Sequence, residues 1–206
     1  MISKIYKKFF VTFFWMVIRL VFKTRHKYKY VGLQNVPKSG SVLLLGNHVS
    51  WIDWIILQLS QERHINFLMD KNIYEWKFFN HVFKNGDVIP LSSRASKDAF
   101  KEASKRLQDG KIVAIYPEGT ITRDGKLGKF YRGYEKIPQD YEGMIVPFYI
   151  DSAVFGSIFS RVGSKGRNLF KRREITVYFD TPVPSDTKAE KLREIVMNIK
   201  ERNEAK

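Results

Sequence analysis

The sequence predicts an α/β fold: a single domain on a central, largely buried mixed sheet flanked by helices, with an amphipathic, hydrophobic helix at the N-terminus. Two observations carry the domain. Short apolar or β-branched runs alternate with stretches of helical periodicity, and 206 residues without a linker-like break suit one domain with a substantial core. A third carries the leading helix, where lysines flank a dense aromatic and aliphatic run.

That run opens the chain. Lys4, Lys7 and Lys8 precede Phe9-Phe10-Val11-Thr12-Phe13-Phe14-Trp15-Met16-Val17-Ile18, then Arg19, then Leu20-Val21-Phe22. A bilayer-spanning helix needs about 20 predominantly apolar residues, and Arg19 interrupts a run already short. The composition fits a helix lying in the membrane interface, aromatic rings in the acyl boundary and basic residues at lipid phosphates. A cleaved signal peptide has the same charged start and apolar middle, but His26-Lys27-Tyr28-Lys29 stands where small residues should mark the cleavage site.

Strands are expected over 42–45, 65–69, 87–91, 112–116, 144–150 and 174–179. A helix is expected over 96–109, with Phe100, Ala103 and Leu107 on one face, Lys97, Lys101 and Lys105 on another, and Gly110 as its stop. A last helix follows Pro184-Ser185-Asp186 and spaces Ala189, Leu192, Val196 and Ile199 helically. The basic, glycine-bearing segment 161–173 reads as a surface loop, either a solvated basic face or a contact for phosphate or membrane close to the active site. No internal repeat or low-complexity tract occurs.

Lys and Arg number 36 against 21 Asp and Glu, a formal net charge of +15 that favours an anionic partner, nucleic acid or an acidic membrane surface. The N-terminal segment tilts the choice toward membrane, and anionic lipids toward its cytoplasmic face. Absence of cysteine excludes disulfides, thiolate metal sites and a cysteine nucleophile. His26, His48, His64 and His81 have no metal-ligand spacing, so no metal is expected. Without a phosphate-cradling or dinucleotide fingerprint, no bound cofactor is expected either.

The chemistry concentrates in two places. Asn47-His48-Val49-Ser50-Trp51-Ile52-Asp53 follows the apolar run ending at Gly46, and Tyr116-Pro117-Glu118-Gly119-Thr120 follows Lys111-Ile112-Val113-Ala114-Ile115. A histidine with an aspartate five residues on can accept a proton while the carboxylate holds its tautomer and stabilises the imidazolium. An isolated histidine of this kind is more often structural; two such segments in the same strand-to-turn context point to a site.

These segments resemble the motifs of the glycerolipid acyltransferases, the family of lysophosphatidate and other lysophospholipid acyltransferases. His48 with Asp53 is similar to its catalytic H-x4-D, Gly86-Asp87-Val88-Ile89-Pro90-Leu91-Ser92-Ser93-Arg94 to its second block, Tyr116 to Thr120 to its third, and Val146-Pro147 to its fourth. Val31-Gly32-Leu33-Gln34-Asn35-Val36-Pro37 resembles the usual lead-in, so the likeness runs from about Val31 to Pro182. With the N-terminal run read as an interfacial membrane-anchoring helix over 1–26, it implies an acyltransferase domain over 27–206. The implied reaction moves a fatty acyl group from acyl-CoA or an acylated carrier protein, as co-substrate, to a lysophospholipid hydroxyl of the 1-acylglycerol-3-phosphate type.

In that reaction His48 is the general base and Asp53 its orienting partner. No G-x-S-x-G elbow appears, which favours direct attack over an acyl-enzyme. Arg94 implies a phosphate contact. Glu118, Gly119, Thr120 and Arg123 complete the expected substrate site, with Gly119 as a source of oxyanion N–H groups and Glu118 as an acceptor for a substrate hydroxyl or a partner for an arginine. The chain departs from the family in having Ile121 where an arginine usually follows E-G-T, with Arg123 two places later. Residues 118–133 resemble the 2-acylglycerophosphoethanolamine type more closely, which keeps that acceptor open. A rival of another class is a non-enzymatic, basic membrane- or nucleic-acid-binding module, against which stand the retained reactive side chains and the lack of a nucleic-acid-binding motif. The expected location is membrane-associated, on the cytoplasmic face, as a monotopic or peripheral protein.

Overall fold

The computed structural model describes residues 2–77, 80–92, 96–137, 143–163 and 172–204. Helix α1 (Ile2–Arg25) leads into strands β1 (Lys27–Val31) and β2 (Ser41–Gly46), helix α2 (Asp53–Leu59) and strand β3 (Ile65–Asp70). Short helices α3 (Lys71–Tyr74) and α4 (Asn80–Asn85) precede β4 (Ile89–Leu91), α5 (Ser96–Gln108) and β5 (Ile112–Ile115). Strands β6 (Gly143–Ile150), β7 (Glu174–Phe179) and β8 (Val183–Pro184) and helix α6 (Ala189–Glu204) complete it.

The strands form one mixed sheet in the order β1-β7-β6-β2-β5-β3-β4, with β8 beside β6. Its middle, β6-β2-β5-β3-β4, is parallel, and β7 joins β6 antiparallel. Strand side chains alternate between faces, and here both faces are covered. Leu43, Leu45, Val113 and Ile115 pack with Phe100, Ala103 and Leu107 of α5 and Leu192, Val196 and Ile199 of α6. Val42, Leu44, Ile112 and Ala114 point the other way, toward Ile55, Ile56 and Leu59 of α2, with Trp15, Ile18 and Phe22 of α1 packed against that cluster. The result is three layers, and it explains why β2 reads as an unbroken apolar run.

Some boundaries move for physical reasons. The strand expected over 87–91 shrinks to Ile89–Leu91, because Asp87 adopts φ 53° and Val88 N–H turns back to the Phe83 carbonyl at 3.2 Å. Gly110 stops α5 in the left-handed region, φ 69°, as its place after the helix suggests. Strand β1 escaped the pattern reading: Lys27-Tyr28-Lys29-Tyr30-Val31 is an edge strand paired parallel to β7, its lysines exposed and its tyrosines turned inward.

Helix α1 is apolar on two faces. Phe10, Val11, Phe14 and Trp15 border Trp54, Phe67 and Phe83 of the domain, while Phe9, Phe13, Met16, Val17, Leu20 and Val21 are exposed. Arg19 does not break the outer face, because its guanidinium donates to the Gln61 carbonyl at 3.2 Å. Among the described residues no helix is long and apolar enough to cross a membrane.

Candidate active site

Parallel pairing sets the site. Leu45 of β2 lies level with Ile115 of β5, so His48 and Glu118, each three residues further on, leave the sheet side by side at the carboxyl ends of the strands. Asn47 ends β2 by mimicking a strand residue: its amide donates to the Ile150 carbonyl at 2.8 Å and accepts from Ile150 N–H at 2.7 Å.

The chain then folds around a carboxylate. Asp53, fully buried, accepts through Oδ2 from His48 Nδ1 at 2.7 Å, Val49 N–H at 2.7 Å and Ser50 N–H at 2.9 Å, and its Oδ1 accepts from the Ser50 hydroxyl. Burying an anion without partners would be costly; here four donors hold it. With Nδ1 committed to Asp53, the lone pair of the neutral imidazole sits on Nε2, and the side chain keeps 21% exposure. The geometry is that of a base aimed outward with its tautomer fixed.

The third block clamps this turn. Glu118 Oε1 accepts from His48 N–H and Oε2 from Gly128 N–H, both at 2.8 Å, while Thr122 N–H donates to the His48 carbonyl at 2.9 Å. Glu118 is 5% exposed. Burial pushes its carboxyl above the ordinary range, opposed by those two N–H groups. Each oxygen holds one backbone N–H, so Glu118 braces the site, and among the described residues no arginine pairs with it. Gly119 shapes the turn that follows. It takes φ 66°, and its own N–H donates to the Tyr116 carbonyl at 3.0 Å and closes the turn.

Thr120 is exposed at the rim, and Arg123 is exposed on the next turn, which the Thr122 hydroxyl organises through Asp124, Gly125 and Lys126. Arg94 lies outside the described residues, as do residues 164–171 of the basic loop. Ile121 is buried at 3% exposure. Ser50, Tyr116 and Arg161 also surround the site without having been singled out. Ser50 was legible only as a hydroxyl inside the H-x4-D turn, and Arg161 only as the first residue of the basic segment 161–173, one reading of which is a phosphate or membrane contact near the site.

The model of the Acyltransferase family matches residues 27–151, and the chain belongs to that family. A chloroplastic 1-acyl-sn-glycerol-3-phosphate acyltransferase from Arabidopsis thaliana is 30% identical over 112 residues, 52% of this chain and 31% of that protein. A 1-acyl-sn-glycerol-3-phosphate acyltransferase from Borreliella burgdorferi is 27% identical over 137 residues, 61% of this chain and 55% of its relative. The chain spans about a third to about half of these relatives' lengths. The crystal structure of PlsC, the 1-acyl-sn-glycerophosphate acyltransferase from Thermotoga maritima, has the same fold, with a TM-score of 0.72 and 23% identity over 97% of this chain and 80% of that one.

Proposed function

We propose that this chain is a membrane-bound acyltransferase that transfers a fatty acyl group from a thioester, acyl-CoA or an acylated carrier protein, to the free hydroxyl of a lysophospholipid of the 1-acylglycerol-3-phosphate type. The observation that carries the reading is the His48–Asp53 pair, with Nδ1 held at 2.7 Å and Nε2 left to accept. His48 takes the hydroxyl proton as the oxygen attacks the thioester carbonyl. The imidazolium is stabilised by Asp53, the tetrahedral intermediate collapses, the C–S bond breaks and the proton passes to the departing thiolate. Products are the diacyl lipid and the free thiol. No cofactor enters the balance.

Membrane attachment is assigned to the exposed face of α1, which presents Phe9, Phe13, Met16 and Leu20. The surplus of basic residues favours the anionic cytoplasmic leaflet. A 2-acylglycerophosphoethanolamine acceptor is the second reading, favoured by a buried Ile121 in place of a cation after E-G-T.

The test is thiol release with paired donors and acceptors, read with lipid product masses. His48→Ala should lower acceptor-dependent turnover at least about 100-fold, the scale of a lost general base. Asp53→Asn should lower kcat with vesicle binding retained. Full activity in His48→Ala would overturn the mechanism.

A further inference from the structure

We propose that Arg161, carried on the loop that follows β6, binds the phosphate of the acceptor lipid; this rests on the lysophospholipid reading above. The guanidinium lies 4.9 Å over the Trp51 ring, and its Nη1 is 3.5 Å from the Thr120 hydroxyl. It thus touches both motif segments that build the site, Trp51 three residues beyond His48 and Thr120 two beyond Glu118. Among the described residues no carboxylate pairs with it. A planar cation stacked on an aromatic face keeps its outer N–H groups directed for two phosphate oxygens.

The loop is built to hold that position. Gly156 N–H donates to the Val162 carbonyl at 2.9 Å, Phe159 N–H to the Ser157 hydroxyl at 3.2 Å and Val162 N–H to the Ser160 hydroxyl at 3.1 Å. Ser157 and Ser160 are buried. Trp51 N–H donates to the Phe159 carbonyl at 2.9 Å, which pins the loop to the His48 turn itself. Arg173 braces its start through the Ala153 and Phe155 carbonyls at 3.0 and 2.9 Å. Gly163 takes φ 71°, and a Cβ there would sit 3.1 Å from the Gly156 Cα, so the turn favours glycine. The residue after Thr120 is the buried Ile121, so positive charge beside Thr120 arrives across space, from Arg161.

Acceptor, donor and bulk lipid all carry phosphate. The acceptor is favoured by the surroundings: Trp51 and Trp76 are both exposed, with rings 6.5 Å apart, an amphipathic pair suited to the depth where lipid glycerol and phosphate lie. A phosphate held at Thr120 and Trp51 places the attached glycerol beside the same turn as His48.

The experiment uses the full chain with Arg161→Gln and Arg161→Lys, in uncharged detergent micelles, varying lysophosphatidate and the acyl donor separately. Arg161→Gln should raise the lysophosphatidate KM roughly 10- to 100-fold, the span of a lost hydrogen bond to a charged group, with little change in kcat or donor KM. Arg161→Lys should recover part of it, and turnover of monoacylglycerol, the acceptor without phosphate, should not change. An unchanged acceptor KM, a rise in donor KM instead, or equal loss with monoacylglycerol would overturn the proposal. A change confined to vesicle binding would assign Arg161 to bulk lipid and overturn it as well. A second arm needs no turnover: a soluble short-chain lysophosphatidate titrated into His48→Ala should bind at least about tenfold tighter than into His48→Ala with Arg161→Gln. Equal affinities would remove Arg161 from the site, whereas an inactive wild-type chain with unequal affinities would fault the proposed reaction alone.

Discussion

The His48 imidazole lies flat on the Tyr116 ring, with centroids 4.2 Å apart and planes tilted by 14°. Phe148 meets Tyr116 edge-on at 5.9 Å, so the ring beneath the imidazole is itself supported by β6. Asp53 fixes one ring nitrogen and Tyr116 fixes the plane; together they leave Nε2 one direction. The Tyr116 hydroxyl is buried without a hydrogen-bond partner among the described residues. Burial, helped by the Asp53 charge, holds its pKa well above the ordinary phenol value. Tyr116→Phe therefore keeps the stacking face and removes an unsatisfied polar atom, and should be fully active and at least as heat-stable as wild type. Tyr116→Leu loses the aromatic face, and kcat should fall roughly 2- to 10-fold. Steady-state kinetics and thermal unfolding check both; a large loss in Tyr116→Phe would put the hydroxyl in the reaction.

Glu118 supports the same turn from below. Its two oxygens satisfy His48 N–H and Gly128 N–H, and Arg193 of α6 fastens the Gly128 segment through the Gly128 and Leu127 carbonyls at 2.7 and 3.0 Å. Glu118→Gln places an amide N–H against one of those donors and should cost about 1–3 kcal/mol of stability. In kinetics kcat should drop while acceptor KM holds, because His48 is displaced and no substrate contact is lost. The reverse pattern would return Glu118 to the substrate. Gly128→Ala probes the same contact from the other side, since its Cβ would meet Glu118 Oε2 at 2.8 Å.

What the sequence revealed and what it withheld follow from the range of the interactions. The strand cores and the faces of α5 and α6 were legible because burial on both sides of a sheet, or on one side of a helix, imposes a local pattern. His48 and Asp53 were legible because their partnership closes within one turn. The bracing by Glu118 was not, because its partners His48 N–H and Gly128 N–H come from two other segments that only the fold brings together. Arg161 was legible only as part of a basic segment with two readings, because Trp51 and Thr120, its neighbours, lie far from it in sequence. Strand β1 was hidden because an edge strand needs no continuous apolar run, and Lys27 and Lys29 interrupt the tyrosines.

Ile121 is where sequence and structure give opposite advice. Replacing it with arginine looks like restoring a phosphate ligand, yet the side chain is 3% exposed. Ile121→Arg would bury an unpaired cation, and the expected result is a lower unfolding temperature and loss of turnover with every acceptor. Ile121→Val should cost only about 0.5–1.5 kcal/mol and leave acceptor preference unchanged. Thermal unfolding beside an acceptor panel decides; a stable Ile121→Arg protein with shifted preference would contradict this.

On the proposed reading the two faces of α1 separate membrane attachment from stability. Phe9, Phe13 and Leu20 are 70%, 51% and 68% exposed, so the triple change to Ser should leave the unfolding temperature nearly unaltered while abolishing sedimentation with anionic vesicles. Trp15 faces inward, with its ring 5.7 Å from that of Trp54. Trp15→Ala should instead destabilise the protein by about 3–5 kcal/mol if the site is tightly packed. Vesicle binding that survives the triple change would locate the membrane contact elsewhere.

Where α1 meets the sheet, His26 supplies a pH dependence. It is buried, its Nδ1 has no partner among the described residues, and its pKa is lowered from 6.5, first by burial and then by the charges of Arg25 and Arg173. The unfolded chain thus binds a proton at this histidine more readily than the folded one. Stability from keeping His26 neutral is fully present above pH 6.5 and is lost as pH falls through the lower folded pKa. Between about pH 7.5 and pH 5.5 the wild-type unfolding temperature should decline, and His26→Gln, which cannot titrate, should decline less. Because the proton arrives beside two arginines, added salt should soften the wild-type decline only in part, leaving the burial contribution behind. Parallel pH curves for the two proteins would show that His26 is not the group that titrates.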